Sequence, residues 1–337
     1  MEDPGRGRAA RQPPDSLASG PATGYPRVVH EPTIILETVH GSRAYGLSGE
    51  DSDLDIKGIH VPEPASFLGY RPWPEQAELS PDHVLYDIRK FFRLAVESNP
   101  TVLELLFTEE SDRRVVTGEG RLLLEHREGF LSRRAGSSFG RYALSQLKRI
   151  KTHRRWLLEP PRARPARSSF GLPERTLIPK DQLGAAEQLI RNGRVDEAEL
   201  TPNFLLIMDR ERCYRAAMRE WQQYQTWLAN RNPKRADLER RFGYDTKHAM
   251  HLVRLLRMAI EILSARKVLV RRPDAQELIA IRQGALSFDR LLAAVEGLEG
   301  RLDHLVEESP LPEKPDEEAI DRLCVQIVAR CHGRRAL

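Results

Sequence analysis

The chain has 337 residues, of which 40% are hydrophobic and 30% charged, and its formal net charge is only +4. This length is sufficient for two domains with a substantial core, and no window approaches the roughly 18 uncharged apolar residues of a membrane span. The three cysteines, Cys213, Cys324 and Cys331, are widely spaced and form no Cys-x-x-Cys pair. That usage fits a reducing cytoplasm and argues against a structural zinc site. We therefore predict a cytoplasmic protein without a membrane partner.

The first 27 residues are rich in Pro, Gly, Ala and Arg and lack an apolar segment. A secretory signal requires such a segment, and a stretch of this composition buries too little apolar surface to fold. We predict a disordered tail over 1–27, a first domain over 28–130 and an α-helical second domain over 131–337.

The first domain begins with a predicted strand over 33–39, which leads into a Gly-Ser turn at 41–42 and a short helical start over 43–47. Further strands are predicted over 53–61 and 83–86, followed by a helix over 88–96. This order of strand, turn, strand, loop, strand and helix predicts a small mixed sheet.

Two carboxylates, Asp53 and Asp55, follow the turn with one residue between them. In an extended segment they share a face, while Leu54 and Ile56 are predicted to point into the core. Carboxylates that close repel each other unless a divalent cation lies between them, and Mg²⁺ combines a few carboxylates with substrate phosphates. Backbone N–H groups and the hydroxyl of Gly41-Ser42 suit terminal phosphates. The pattern predicts metal-assisted nucleotidyl transfer; the alternative is an acidic loop before an ordinary strand.

Gly41-Ser42 together with Ser52-Asp53-Leu54-Asp55 resembles the DNA polymerase beta superfamily of nucleotidyltransferases. The segments 99–107 and 243–251 resemble a narrower group of bacterial and phage proteins, the RNA-ligase-associated nucleotidyltransferases called RlaP. The resemblance implies a Mg²⁺-dependent reaction with an NTP as substrate and a link to RNA repair. We therefore expect an α+β fold, with a polymerase-beta-like core followed by an α-helical domain.

Transfer on two metal ions usually needs a third acid, both as a ligand and to deprotonate the attacking hydroxyl. Asp82 and Asp87 flank the predicted third strand. Asp87 ends that strand, where we expect it to face the Asp pair as a metal ligand; its alternative role is the N-cap of the following helix. Asp82 is the other candidate, with a simple turn as its alternative. Strand parity places the two on opposite sides, so at most one is catalytic.

Beyond residue 99 the apolar residues recur with helical periodicity. The predicted helices lie near 101–107, 119–127, 137–158, 181–192, 208–229, 235–242, 245–265, 274–282, 287–307 and 316–332. Glu104, in the first of them, is either an outer-sphere acid or the partner of a helical arginine.

The predicted helix over 245–265 carries Lys247, His251 and Arg254 on the side opposite its apolar arc, with His248 at the edge. Cationic groups on one face suit a triphosphate or a nucleic-acid backbone. The alternative is a solvated face.

The stretch 133–167 contains eleven basic residues and a single acidic one, Glu159. Such a local excess indicates a polyanionic partner. On the helix predicted over 140–158, basic residues line one side and Trp156 lies nearby, so this helix is a candidate contact for RNA or tRNA; the alternative is a solubilising face. The basic residues of that side are Arg141, Lys148, Lys151 and Arg155.

These patterns lead to one prediction of function, the transfer of an NMP from an NTP to an acceptor hydroxyl of an RNA or tRNA end. Asp53 and Asp55 bind two Mg²⁺ ions with help from Asp87 or Asp82. The predicted NTP contacts are Gly41, Ser42, Arg43, Lys247, His248, His251 and Arg254. Two alternatives remain, an adenylyltransferase acting on a small molecule or a protein, and a non-catalytic nucleotide- or RNA-binding module. The oligomeric state is left open.

Overall fold

The computed structural model describes residues 33–50, 52–64, 66, 70, 74–176, 180–192, 202–231 and 233–333. The tail predicted over 1–27 lies outside this part of the chain. No helix within it combines the length and the apolar character that crossing a membrane requires.

Five strands form one mixed sheet in the order β3-β4-β2-β1-β5. Strands β2 and β4 are parallel, and the other neighbouring pairs are antiparallel. The predicted strands at 33–39 and 83–86 are confirmed, whereas the strand predicted from residue 53 begins at Asp55. The strands are β1 (Thr33–His40), β2 (Asp55–Val61), β3 (Gln76–Ser80), β4 (His83–Asp87) and β5 (Arg113–Val116).

Strands β3 and β5 were not predicted, and both lie at the edges of the sheet. Most of β3 is exposed, and β5 has only four residues, two of them arginines. Short polar edge strands protect a sheet from pairing with other chains. The same composition removes the apolar alternation by which a strand is recognised in a sequence.

Every predicted helical segment contains a helix, and together with the mixed sheet this confirms the α+β fold. The α-helices are α1 (Gly41–Ala44), α2 (Ile88–Val96), α3 (Pro100–Leu106), α4 (Gly118–Glu125), α5 (Arg134–Leu158), α6 (Lys180–Arg191), α7 (Pro202–Ala229), α8 (Pro233–Phe242), α9 (Thr246–Ala265), α10 (Ala275–Arg282), α11 (Phe288–Glu308) and α12 (Glu317–Gly333).

One hydrophobic core joins the sheet to the helices on both sides of residue 130. Ile59 of β2, Phe139 of α5, Leu256 of α9 and Leu291 of α11 are all fully buried in it. Helix α5 packs along α9, which in turn contacts α10 and α11. The division into domains at 130 stays a prediction, and the apolar packing is continuous across it.

Candidate functional site

The Gly-Ser turn follows β1 without a linker, since the strand ends at His40 and α1 begins at Gly41. Gly41 has a φ of +67°, a left-handed conformation that glycine adopts without steric cost. A Cβ atom at this position would lie 2.0 Å from Oδ2 of Asp55. Glycine is thus required for two reasons, its backbone conformation and the space that the Asp55 carboxylate occupies. This carboxylate is in direct contact with the backbone of the turn.

Asp55 is the first residue of β2 and pairs with His40 across the antiparallel ladder. Asp53 precedes the strand and is exposed, while Asp55 is half-buried. The prediction that Leu54 points into the core is wrong, because its side chain is 46% exposed. The strand starts at Asp55, two residues later than predicted, so the alternation on which that prediction depended does not reach Leu54. Ile56 is buried as predicted.

Arg43 secures the loop that carries Asp53. Its guanidinium donates hydrogen bonds to two backbone carbonyls, 2.8 Å from Nη2 to Ser52 O and 3.3 Å from Nε to Asp53 O. The structure therefore gives Arg43 a role in holding the loop, and its predicted contact with an NTP stays a prediction.

Asp87 does not face the Asp pair. In the parallel ladder it lies opposite His60, five residues beyond Asp55 on β2, so it projects from the other face of the sheet. Its side chain is fully buried, caps α2 by accepting a hydrogen bond from the Arg89 N–H at 2.8 Å, and pairs with the Arg89 guanidinium. The expectation that it faces Asp53 and Asp55 is wrong. Its alternative role, as the N-cap of the following helix, is the one that the structure shows.

Asp82 lies close to the start of β2, where Asp55 stands. It occupies the exposed turn between β3 and β4, and its carbonyl accepts a hydrogen bond from the Ile56 N–H at 2.7 Å. Because Ile56 pairs with His83 in parallel register, the turn that carries Asp82 lies next to the start of β2. Asp82 is thus the better placed of the two candidates for the third acid.

The donor set at this end of the sheet fits a divalent cation of the Mg²⁺ type. Asp53 and Asp55 offer carboxylate oxygens, the ligands that Mg²⁺ prefers. Neither has an ion-pair partner among the described residues, and the absent Cβ of Gly41 leaves the Asp55 carboxylate in contact with the Gly-Ser turn. No cluster of three potential ligands that includes them is found in the described part of the chain.

Lys57 is a further candidate functional residue, which was not predicted from the sequence. It lies two residues after Asp55 on the same face of β2 and is half-buried. Burial lowers the pKa of its amine, and the nearby charges of Glu104 and Asp55 partly oppose that effect. The strand alternation that pairs Asp53 with Asp55 also identifies Lys57, so this residue was recognisable in principle.

Beneath the turn lies a buried polar cluster, here called the Glu104 hub and made up of Glu104, Arg254, Tyr45 and His40. The Tyr45 hydroxyl donates to Glu104 Oε2 at 2.5 Å, and Arg254 Nη1 donates to Glu104 Oε1 at 2.6 Å. His40 Nε2 lies 3.4 Å from Glu104 Oε2, and the Arg254 guanidinium lies 3.9 Å from the centre of the Tyr45 ring. The hub ties the Gly-Ser turn to α3 and α9.

The electrostatics of the hub follow from complete burial of matched charges. Burial alone would raise the pKa of the Glu104 carboxyl, but the Arg254 guanidinium and its hydrogen-bond donors hold that pKa well below the ordinary value. Burial raises the pKa of the Tyr45 phenol, which therefore remains a donor. The pairing of Glu104 with a helical arginine is confirmed. The expectation that Arg254 lies on an exposed face is wrong, since it is 5% exposed.

The remaining predicted contacts of α9 lie near its N-terminus. Asp245 caps this helix through the His248 N–H at 3.0 Å and also contacts His248 Nδ1 at 2.6 Å. Lys247 and His251 are half-buried. Burial, together with the neighbouring cations, lowers the pKa of His251 to about 3, so its imidazole is neutral at physiological pH.

The basic helix predicted over 140–158 lies within α5. Lys148 and Lys151 are exposed as predicted. Arg155 is paired with Glu220 of α7, and the nearby Trp156 ring is buried, 5.6 Å from that of Trp227. The charged side of α5 is thus accessible only in part.

Comparisons with known proteins agree with this geometry. Residues 27–158, less than half of the chain, match the RlaP family, described as an RNA repair pathway DNA polymerase beta family. A segment of 81 residues is 36% identical to the uncharacterized protein YcgL of Bacillus subtilis (strain 168), covering 23% of this chain and 31% of YcgL. The chain therefore spans less than a third of that curated relative. No solved structure gives a significant match.

Proposed function

We propose, on the premise that residues 27–158 carry an RlaP-type domain of the DNA polymerase beta family, that this protein is a Mg²⁺-dependent nucleotidyltransferase. It transfers an NMP from an NTP to an acceptor hydroxyl, and the acceptor is an RNA or tRNA end. The observation that carries the proposal is the contact between Gly41 and the Asp55 carboxylate. It places a turn suited to phosphates directly beside an acid suited to a metal ion.

In this proposal the turn binds the outer phosphates of the NTP, with Ser42 donating its hydroxyl and α1 its first backbone N–H groups. Asp53 and Asp55 hold Mg²⁺, which when bound neutralises triphosphate charge and polarises the phosphoryl oxygens. Lys57 adds a positive charge on the same face as Asp55. Arg43 keeps Asp53 in place through the two loop carbonyls.

The reaction balances as a single displacement. The acceptor hydroxyl oxygen forms a bond to the α-phosphorus, the bond from that phosphorus to the bridging oxygen breaks, and pyrophosphate leaves. The hydroxyl proton passes to a carboxylate, and Asp82 is better placed for that role than Asp87.

Two observations support RNA as the acceptor. The matching family is described by a role in RNA repair, and the segment 133–167 carries a large excess of positive charge. A polyanionic acceptor would make the activity decrease with salt concentration, whereas transfer to a small neutral molecule would change little.

The test is incubation of the protein with Mg²⁺ and each NTP labelled at the α-phosphate, with and without total RNA, followed by a denaturing gel. We expect label on RNA and a decrease of at least about 100-fold in Asp55→Asn, because charge stabilisation in the transition state is lost. The matched control is Asp303→Asn, which removes an exposed carboxylate of α11 and leaves the activity unchanged.

Three results would overturn the proposal in different ways. Label on the protein itself would indicate AMP transfer to protein. Label on a small acceptor would exclude RNA as the substrate. Activity that survives in Asp55→Asn would remove this site from the chemistry altogether.

A further inference from the structure

Helices α5 and α7 present two side-chain stripes of the same spacing to a common groove. On α5 the stripe contains Lys148, Arg149, Thr152, His153 and Trp156. On α7 it contains Arg219, Gln222, Gln223, Thr226, Trp227 and Asn230. Recurrence at three- and four-residue steps defines one side of a helix, which is usually apolar where two helices pack. Here it is mostly polar, and the two helices enclose a groove of about 830 Å³, called the α5/α7 groove.

The residues that line the groove carry charge of one sign, although carboxylate oxygens of Glu239 and Asp245 lie within 4.8 Å of a ring nitrogen of the lining residue His153. Among the described residues that line it there is no Asp or Glu, but there are three cations, Lys148, Arg149 and Arg219. All three are exposed, and none has an ion-pair partner within the described ranges. By contrast, Arg155 of α5, outside the groove lining, is neutralised by Glu220. An uncompensated positive groove attracts a polyanion.

The floor of the groove is aromatic. The His153 ring stacks on Trp156 at 5.6 Å and lies 5.5 Å from the half-exposed Trp227 ring. Burial lowers the pKa of His153 to about 4, so this ring is neutral at physiological pH. Bases stack on such rings whatever their sequence, and the amides of Gln222, Gln223 and Asn230 offer both donors and acceptors for base edges and 2′-hydroxyls.

Helix α9 connects the α5/α7 groove with the Glu104 hub. His248, at the N-terminal end of α9, lines the groove, and Arg254 of the same helix belongs to the Glu104 hub. Six residues along a helix span about 9 Å, and Tyr45 of the turn bonds to the same Glu104. The groove and the hub are therefore built in part on the same helix, at positions less than two turns apart.

We propose that the α5/α7 groove binds a single-stranded RNA segment and presents its end as the acceptor. This inference rests on the proposed function. It names a binding site that is distinct from the Gly-Ser turn and the Asp pair. A single strand is favoured over a duplex because an aromatic floor requires unstacked bases.

The first test measures binding of a short fluorescein-labelled single-stranded RNA of mixed sequence by fluorescence anisotropy, without NTP, over a series of KCl concentrations. Removing the three cations together (K148A, R149A and R219A) weakens binding and reduces the salt slope by about 0.7 for each phosphate that is no longer neutralised. The single substitution Lys148→Ala has a matched control in Lys151→Ala, which removes the same charge at an exposed position of α5 outside the groove lining and leaves both quantities unchanged.

A second variant, Trp227→Leu, separates stacking from charge. We expect weaker binding with an unchanged salt slope, and loss of the tryptophan quenching that RNA causes in the wild-type protein. If Lys151→Ala weakens binding as much as Lys148→Ala, the attraction is diffuse and the groove is not the site. Tighter binding of duplex RNA, or equal binding of a protein polyanion, would also overturn the inference.

Failure of the two proposals can be told apart. Asp55→Asn retains RNA binding if the groove is the site, whatever its activity. RNA binding that depends on the groove, in a protein without transfer activity, would keep this inference and overturn the proposed function. Transfer to RNA that the groove variants do not affect would keep the function and overturn the groove.

Discussion

The Glu104 hub and the α5/α7 groove use the same kinds of side chain, arginine, histidine and aromatic rings, in opposite settings. In the hub every member is at most 5% exposed, and Arg254 is matched by a carboxylate at 2.6 Å. In the groove the arginines are exposed, and no carboxylate is found among the described lining residues.

The difference shows how an arginine with a structural role is distinguished from one that is available to bind a ligand. A buried charge is retained only when its partner is supplied by the protein, and Arg254 is buried against Glu104, which neutralises its charge. An exposed cation without a protein partner pairs with water and salt until a polyanion displaces them. The hub therefore positions the Gly-Ser turn, whereas the groove is available for binding.

The largest effect that we expect is the loss of stability on breaking the hub. Arg254→Met leaves Glu104 buried without its partner and lowers the free energy of unfolding by about 3–5 kcal/mol. The matched change in the groove, Arg149→Met, stays within about 0.5 kcal/mol of the wild type. Urea unfolding followed by circular dichroism measures both. Equal effects of the two substitutions would invalidate the contrast between hub and groove.

The next effect concerns stability in acid. Since the pKa of Glu104 is held below its ordinary value of 4.5, the ionised hub contributes stability that is fully present above about pH 4.5 and is lost as pH falls toward the depressed pKa. Glu104→Gln is less stable at neutral pH and loses less on acidification than the wild type. Unfolding curves between neutral pH and pH 3 check this, and parallel pH profiles of the two proteins would contradict it.

A third prediction concerns Gly41, which connects the hub to the Asp pair. Gly41→Ala adds left-handed strain of about 1–2 kcal/mol and also displaces the Asp55 carboxylate, so activity falls far more than stability. Gly46→Ala is the matched control, because Gly46 has a φ of +71° but its Cβ would lie 3.8 Å from the nearest atoms, in Arg271. We expect a similar loss of stability without the loss of activity. Similar activities of the two variants would show that activity does not require glycine at position 41.

The smallest effect lies in the groove and again depends on pH. Burial lowers the pKa of His153 from 6.5 to about 4, so the unfolded chain binds its proton first. This group contributes stability that is present above about pH 6.5 and decreases as pH falls toward 4. His153→Gln flattens the unfolding profile in that interval. An unchanged slope would show that His153 is more accessible to water than its position indicates.

Most helices were predictable because apolar residues recur at helical spacing over long windows. The strands β3 and β5 were not, since edge strands carry polar residues. The side of the sheet on which Asp87 lies could not be predicted from the sequence either, because it depends on the parallel register between β2 and β4 and not on a local pattern. The Asp pair, the Gly-Ser turn and the pairing of Glu104 with an arginine were all identified from residue types and spacing.

The groove illustrates what a linear sequence cannot supply. The helix that carries its basic half, α5, was predicted as a candidate RNA contact, but of the four basic residues named for that side only Lys148 lines the groove. The polar stripe of α7 has the composition of an ordinary solvated face. The stripes are more than sixty residues apart in the chain, from Trp156 to Arg219, and only the approach of the two helices shows that they face each other. The expected exposure of Arg254 failed for the same reason, since its partner Glu104 is 150 residues away.

The contacts that complete the Gly-Ser turn also have a consequence for the protein while it is being synthesised. Glu104 emerges early, but Arg254 follows 150 residues later, and the guanidinium of Arg282 that reaches the carbonyl of Leu47 follows that residue by 235 positions. N-terminal segments generally fold first on the ribosome, yet here the turn is secured only when α9 and α10 have left the exit tunnel. The nascent chain therefore carries the Gly-Ser sequence long before the contacts that hold the turn exist, and the turn should reach its final geometry only near the end of translation.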